Sequence, residues 1–84
     1  MKIVTIYTTS YSPYCVKAKN LLNHNKIDFE EINAEDDKNR NDMISLSGGK
    51  KTVPQIFING ISIGGCDDLY DLDKKGKLET MINS

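Results

Sequence analysis

Two cysteines, Cys15 and Cys66, and one histidine, His24, are the residues best suited to nucleophilic, redox or metal chemistry. Cys15 closes the segment Ser12-Pro13-Tyr14-Cys15. Serine followed by proline is a strong helix start, with the serine at the N-cap and the proline at the first helical position. A helix start presents unpaired N–H groups and the positive end of the macrodipole, and both stabilise a thiolate. A redox Cys-x-x-Cys motif belongs at such a place, with its first cysteine exposed at the cap. Here that residue is a serine. Read alone, Ser12 is a plain helix cap. Cys15 shares an apolar stripe with Ala18, Leu21 and Leu22 at helical spacing, which predicts a buried, poorly reactive thiol. Two cysteines and His24 lack the ligand spacing of a closed zinc site, so no metal is expected. His24, late in the same helix, reads as a cation at a helix end.

Two further segments offer backbone rather than side chains. Pro54 pushes Val53 into an extended conformation. The ordinary reading is a trans proline at the start of an edge strand. Gly64-Gly65 leads into Cys66-Asp67-Asp68, the opening of a helix whose free N–H groups suit a carboxylate. Asp67 and Asp68 equally complement the helix dipole. Cys66 reads most simply as a small buried residue that supplies its backbone.

The elements that must position these groups are well punctuated. Ile3 to Thr8 is a β-branched and aromatic run, read as a buried strand. After the first helix, Ile27, Phe29 and Ile32 suggest a second strand. A weakly helical pattern runs from Glu35 to Ser47 and is closed by Gly48-Gly49. Asn59-Gly60 between Gln55–Ile58 and Ile61–Ile63 is a hairpin signal. A third helix ends in Lys74-Lys75-Gly76, and Leu78, Met81 and Ile82 suggest a last amphipathic turn. The order β-α-β-α-β-β-α predicts an α/β fold. Its four-stranded mixed sheet joins a parallel β-α-β unit to an antiparallel hairpin, with helices on both faces.

Composition narrows the function classes. Eighty-four residues make one domain, 1–84, around one small core. Eleven basic against twelve acidic residues give a net charge of −1, which speaks against nucleic acid or an anionic membrane surface as partner. No apolar run is long enough for a membrane helix, and Met1 to Tyr7 turns polar too quickly for a signal peptide. Two cysteines cannot build a secreted disulfide framework. A cytoplasmic monomer in a reducing compartment is expected.

Three segments taken together carry a resemblance. Pro13-Tyr14-Cys15 after a short strand, Thr52-Val53-Pro54-Gln55-Ile56-Phe57-Ile58, and Gly64-Gly65-Cys66-Asp67-Asp68-Leu69 resemble the glutaredoxin family in order and spacing. The likeness is greatest to short bacterial dithiol glutaredoxins, whose active site reads Cys-Pro-Tyr-Cys, and it spans essentially the whole chain. It implies a thioredoxin-like fold and reduction of protein disulfides and glutathione mixed disulfides, with glutathione as the reductant. It also implies a cis Val53–Pro54 bond, with Thr52, Val53 and Pro54 presenting backbone to the cysteinyl part of glutathione. Gly65, Cys66 and Asp67 would hold the γ-glutamyl end, the Cys66 and Asp67 amides on its carboxylate and the Asp67 side chain on its ammonium. Tyr14 would pack beside the ligand. Arg40, or Lys38 in its place, would face the glycyl carboxylate, the alternative for both being a solvated helix face. The lysine usual before the first cysteine is Thr9 here.

By the same resemblance Ser12 occupies the nucleophile position and Cys15 is the resolving cysteine. A serine hydroxyl has almost no anion at neutral pH without a base beside it, so the chain as written should lack turnover. A neutral hydroxyl is also a poor iron ligand, which closes the route to an iron–sulfur cluster. Two explanations stand. Either a working dithiol glutaredoxin has had its nucleophile exchanged for a near-isosteric serine, or the serine is natural in a non-catalytic glutathione-binding module.

Overall fold

Residues 4–8 alternate between two faces, and the computed structural model, which describes residues 3–83, places a separate core on each face. Strand β1 (Val4–Thr8) sends Val4 and Ile6 to one side and Tyr7 to the other. Helix α1 (Pro13–His24), β2 (Glu30–Asn33) and α2 (Asp37–Leu46) follow, then β3 (Gln55–Ile58), β4 (Ile61–Gly64), α3 (Cys66–Lys74) and α4 (Leu78–Asn83). The sheet order is β2-β1-β3-β4. β1 runs parallel to β2 and antiparallel to β3, and β3 pairs antiparallel with β4. This is the thioredoxin-like mixed sheet that the sequence pattern and the resemblance lead one to expect.

The larger core joins Ile6 and Ile56 of the sheet to Leu22 of α1, Leu69 of α3, and Leu78 and Ile82 of α4. On the opposite face Tyr7, Ala34, Met43 and Phe57 pack together under α2, with the Tyr7 and Phe57 rings edge to face at 5.5 Å. Helices thus cover both faces. In the hairpin, Asn59 and Gly60 take φ of 52° and 84°, as a type I′ turn requires at both central residues.

The second strand corrects the sequence reading. Ile27 and Phe29 lie before β2, which begins at Glu30 opposite Thr5. The Ile27 N–H instead donates to the Leu22 carbonyl at 2.9 Å, and Lys26 N–H donates to Asn23 at 3.0 Å. With Lys26 at φ 58°, that is a Schellman closure of α1 built without glycine. Ile27 and Phe29 pack on the larger core as coil. Helix α2 is also shorter than 35–47: Asp36 caps it by accepting from the Asn39 N–H at 3.1 Å, and Ser47 ends it.

Candidate functional site

Ser12 stands at the N-cap of α1, beyond the C-terminal end of the inner strand β1. In α/β sheets that end of the strands is the usual place for ligands. Its backbone is extended (φ −89°, ψ 120°), and its carbonyl accepts from Val16 N–H at 3.4 Å. The side chain makes no capping hydrogen bond, so the plain-cap reading of the hydroxyl does not hold. The first-turn N–H groups of α1 are left for another partner. Cys15 is 1% exposed and faces inward, as its place on the apolar stripe predicts.

Beside this helix start lies a groove of about 380 Å³. It brings together Tyr14, Thr52, Val53, Pro54, Gly65, Cys66 and Asp67 of the residues expected from sequence. The Val53–Pro54 bond is cis, as the resemblance implies. Gln55 shapes this wall from within: its Nε2 donates to the Thr52 carbonyl at 3.0 Å and to the Thr52 hydroxyl at 3.2 Å. Opposite, Asp68 reaches back to the Gly65 N–H at 2.9 Å, which leaves the Cys66 and Asp67 amides at the open end of α3. A Cβ on Gly65 would lie 3.3 Å from the Pro54 carbonyl oxygen. The glycine therefore lets the two walls of the groove come together. At Gly64, φ is 104° and a Cβ would collide with the Asp68 carboxylate.

The thiol of Cys66 is 6% exposed. Burial pushes its pKa up, and the charge of Asp67 adds to this. Cys66 contributes backbone to the groove, not a nucleophile.

The cation lining the groove is Lys50, which sequence reasoning did not single out. Ser47, a buried residue, holds it from behind by donating to the Lys50 carbonyl at 3.2 Å and accepting from its N–H at 3.1 Å. Arg40 is half-buried in α2 and does not line the groove, and neither does Ser12 itself. Lys38 is paired with Asp42 at 3.0 Å. Gln55 and Lys50 are the residues that sequence reasoning missed. The only signal for either was its place beside Thr52-Val53-Pro54.

A larger cavity of about 620 Å³ lies at the other end of the strands, between Ile3, Phe29 and Ile82. It holds no cysteine or histidine. The disulfide chemistry belongs with the smaller groove.

Comparison with known proteins agrees with this geometry. The sequence model of the glutaredoxin family matches residues 4–63. Glutaredoxin 1 of Rickettsia felis is 47% identical over 81 residues, which cover 94% of this chain and 79% of that protein. Glutaredoxin of Pseudomonas aeruginosa is 40% identical over 84 residues, covering 100% of each. The solution structure of glutaredoxin from Brucella melitensis superposes with a TM-score of 0.85 at 44% identity, covering 98% of this chain and 89% of that one. The crystal structure of a buckwheat glutaredoxin–glutathione complex gives a TM-score of 0.87 at 27% identity, covering 98% of this chain and 77% of that one. With the family model matched over most of its length and a full-length relative at this identity, the chain belongs to the glutaredoxin family.

Proposed function

We propose that the groove binds glutathione and that the chain's oxidoreductase chemistry requires a thiol where Ser12 stands. The observation that carries this reading is the meeting of the Val53 backbone and the open start of α3 in one groove beside Tyr14. A glutathione complex among the similar structures supports the choice of ligand. Val53 offers a main-chain donor and acceptor to the cysteinyl part, as in strand addition. The Cys66 and Asp67 amides suit a carboxylate, the Asp67 side chain an ammonium, and Lys50 a second carboxylate.

With a thiol at position 12, the thiolate attacks the glutathione sulfur of a mixed disulfide. The old S–S bond breaks and its electron pair leaves on the protein thiolate, which takes a proton. A second glutathione thiolate then attacks the enzyme-bound glutathione, releasing glutathione disulfide and regenerating the enzyme thiolate. Cys15 supplies the alternative, intramolecular release. Ser12 performs none of these steps, since its hydroxyl carries no base beside it and His24 ends the same helix. We read Ser12 as the exchanged nucleophile of a working dithiol glutaredoxin acting on protein and glutathione mixed disulfides in the cytoplasm as a monomer.

Thr9 favours the second reading, a natural glutathione-binding module, because the usual lysine is missing there. The mass of the protein from its native source separates the two, since sulfur in place of oxygen at position 12 makes it heavier. The functional test is glutathione-coupled reduction of a small mixed disulfide by the chain and by Ser12→Cys. A folded but inert Ser12→Cys variant would overturn the oxidoreductase reading.

A further inference from the structure

The loop that carries Ser12 is flanked by two clefts, and glutathione accounts for one. β1 lies between β2 and β3 in the sheet. The glutathione groove opens on the β3 side, and a second cleft of about 490 Å³ opens on the β2 side. Its wall is polar: Thr8, Thr9 and Ser10 from the end of β1 and its loop, and Glu31, Asn33 and Glu35 from β2 and beyond. Val16 of α1, half exposed, adds the apolar part.

The chemistry of this cleft differs from that of the first. One oxygen of Glu31 accepts from the Thr8 hydroxyl at 2.6 Å and from Lys19 at 3.0 Å. One oxygen of Glu35 accepts from the Ser10 hydroxyl at 2.9 Å. Both carboxylates are thereby aimed, each with its second oxygen free to accept. One lysine against two carboxylates leaves the wall negative. Thr9 is an independent sign of an absent partner. It is 5% exposed, and its hydroxyl is buried without a hydrogen bond.

We propose that this second cleft docks the protein half of the mixed disulfide, as an extended segment with a lysine or arginine close to its cysteine. The proposal rests on the glutathione reading of the first groove. A disulfide attacked at position 12 has two halves that leave its sulfurs in different directions. With glutathione on the β3 side, the protein half lies towards β2. Glutathione itself carries two carboxylates, which the Glu31–Glu35 wall repels, so the two clefts sort the two halves by charge.

The test is amide-shift titration of the chain as it stands with two capped pentapeptides, Ala-Lys-Ser-Lys-Ala and Ala-Glu-Ser-Glu-Ala, with and without saturating glutathione. The lysine peptide is expected to move the Thr9, Ser10, Glu31, Asn33 and Glu35 amides and to do so unchanged when glutathione is bound. It should bind about threefold more tightly than the glutamate peptide, the scale of an exposed ion pair. Glu35→Gln, on an exposed side chain that keeps its shape, should shrink that preference, as should raising salt to about 0.15 M. Equal binding of the two peptides, or displacement of glutathione by the lysine peptide, would overturn the proposal. Glutathione that leaves Val53, Cys66 and Asp67 unmoved would instead overturn the reading of the first groove, while the peptide arm still judges the second cleft.

Discussion

Gln55 holds Thr52 by two hydrogen bonds from one amide nitrogen, 3.0 Å to the carbonyl and 3.2 Å to the hydroxyl, while its own Oε1 is buried without a partner. The side chain is 2% exposed, so it acts from inside the fold on a residue of the groove wall. Gln55→Leu removes the clamp and the orphaned acceptor together. Global stability should change by about 1 kcal/mol or less, because the freed Thr52 groups are exposed and rehydrate. Glutathione affinity should fall by about threefold or more as the Thr52-Val53-Pro54 wall loosens. Denaturant melts and a glutathione titration of the same variant separate the two effects.

Ser12→Cys should bring glutathione-dependent thiol–disulfide exchange, with the parent chain at background. The new thiol sits at the N-cap, among first-turn N–H groups that no side chain occupies, so its pKa should fall below the ~8.5 of a free thiol. It should close a reversible disulfide with Cys15 at a potential near the roughly −200 to −230 mV of glutaredoxins. Thr9 in place of lysine predicts a smaller pKa depression, and Thr9→Lys in the Ser12→Cys background should speed turnover. Iodoacetamide inactivation against pH reads the pKa directly.

Glutathione added to the parent chain should bind without a covalent bond and move the Val53, Cys66 and Asp67 amides together. Gly65, whose N–H is already held by Asp68, should move least of the groove residues. Asp67→Asn removes the charge proposed to meet the ligand ammonium and should weaken binding by about two- to fivefold. Lys50→Met should do the same at the other end, while Arg40→Met should leave affinity unchanged.

Both native thiols should resist alkylation. Cys15 and Cys66 are 1% and 6% exposed, and burial raises the pKa of Cys66 further. Modification in the folded chain should run at least about tenfold slower than in denaturant, limited by local opening. Mass spectrometry of timed quenches gives both rates. Rapid labelling of Cys15 would return it to consideration as a nucleophile in its own right.

Glu31 links the second cleft to acid stability. The Thr8 hydroxyl first, and then Lys19, hold its carboxyl below the ordinary 4.5. The folded state therefore binds this proton more weakly than the unfolded state does. The contribution is full above pH ~4.5 and is lost as pH falls through the lowered folded value. Thr8→Val should flatten that part of the stability curve and leave the curve above neutrality parallel to the parent. The side chain of Glu31 is 41% exposed, so solvent keeps the effect below ~1 kcal/mol. Urea melts from pH 3 to 7 provide the measurement.

Caps and turns were legible from sequence because they depend on residues within a few positions of one another. Ser12-Pro13 starts α1, Asn59-Gly60 turns the hairpin, and Gly76 follows α3, each where local preference puts it. The three segments of the groove were legible as motifs for the same reason. Ile27 and Phe29 were not: an apolar residue that closes a helix and one that begins a strand look alike until β1 selects its partner at Glu30. Lys50 and Arg40 show the same limit for charge. Both are cations near the expected segments, but only the Ser47 contact and the cis Val53–Pro54 turn set Lys50 into the lining. Only tertiary structure could separate the two sides of Ser12. A groove towards β3 and a cleft towards β2 exist because β1 is an inner strand, and strand order is set by packing between elements far apart in sequence.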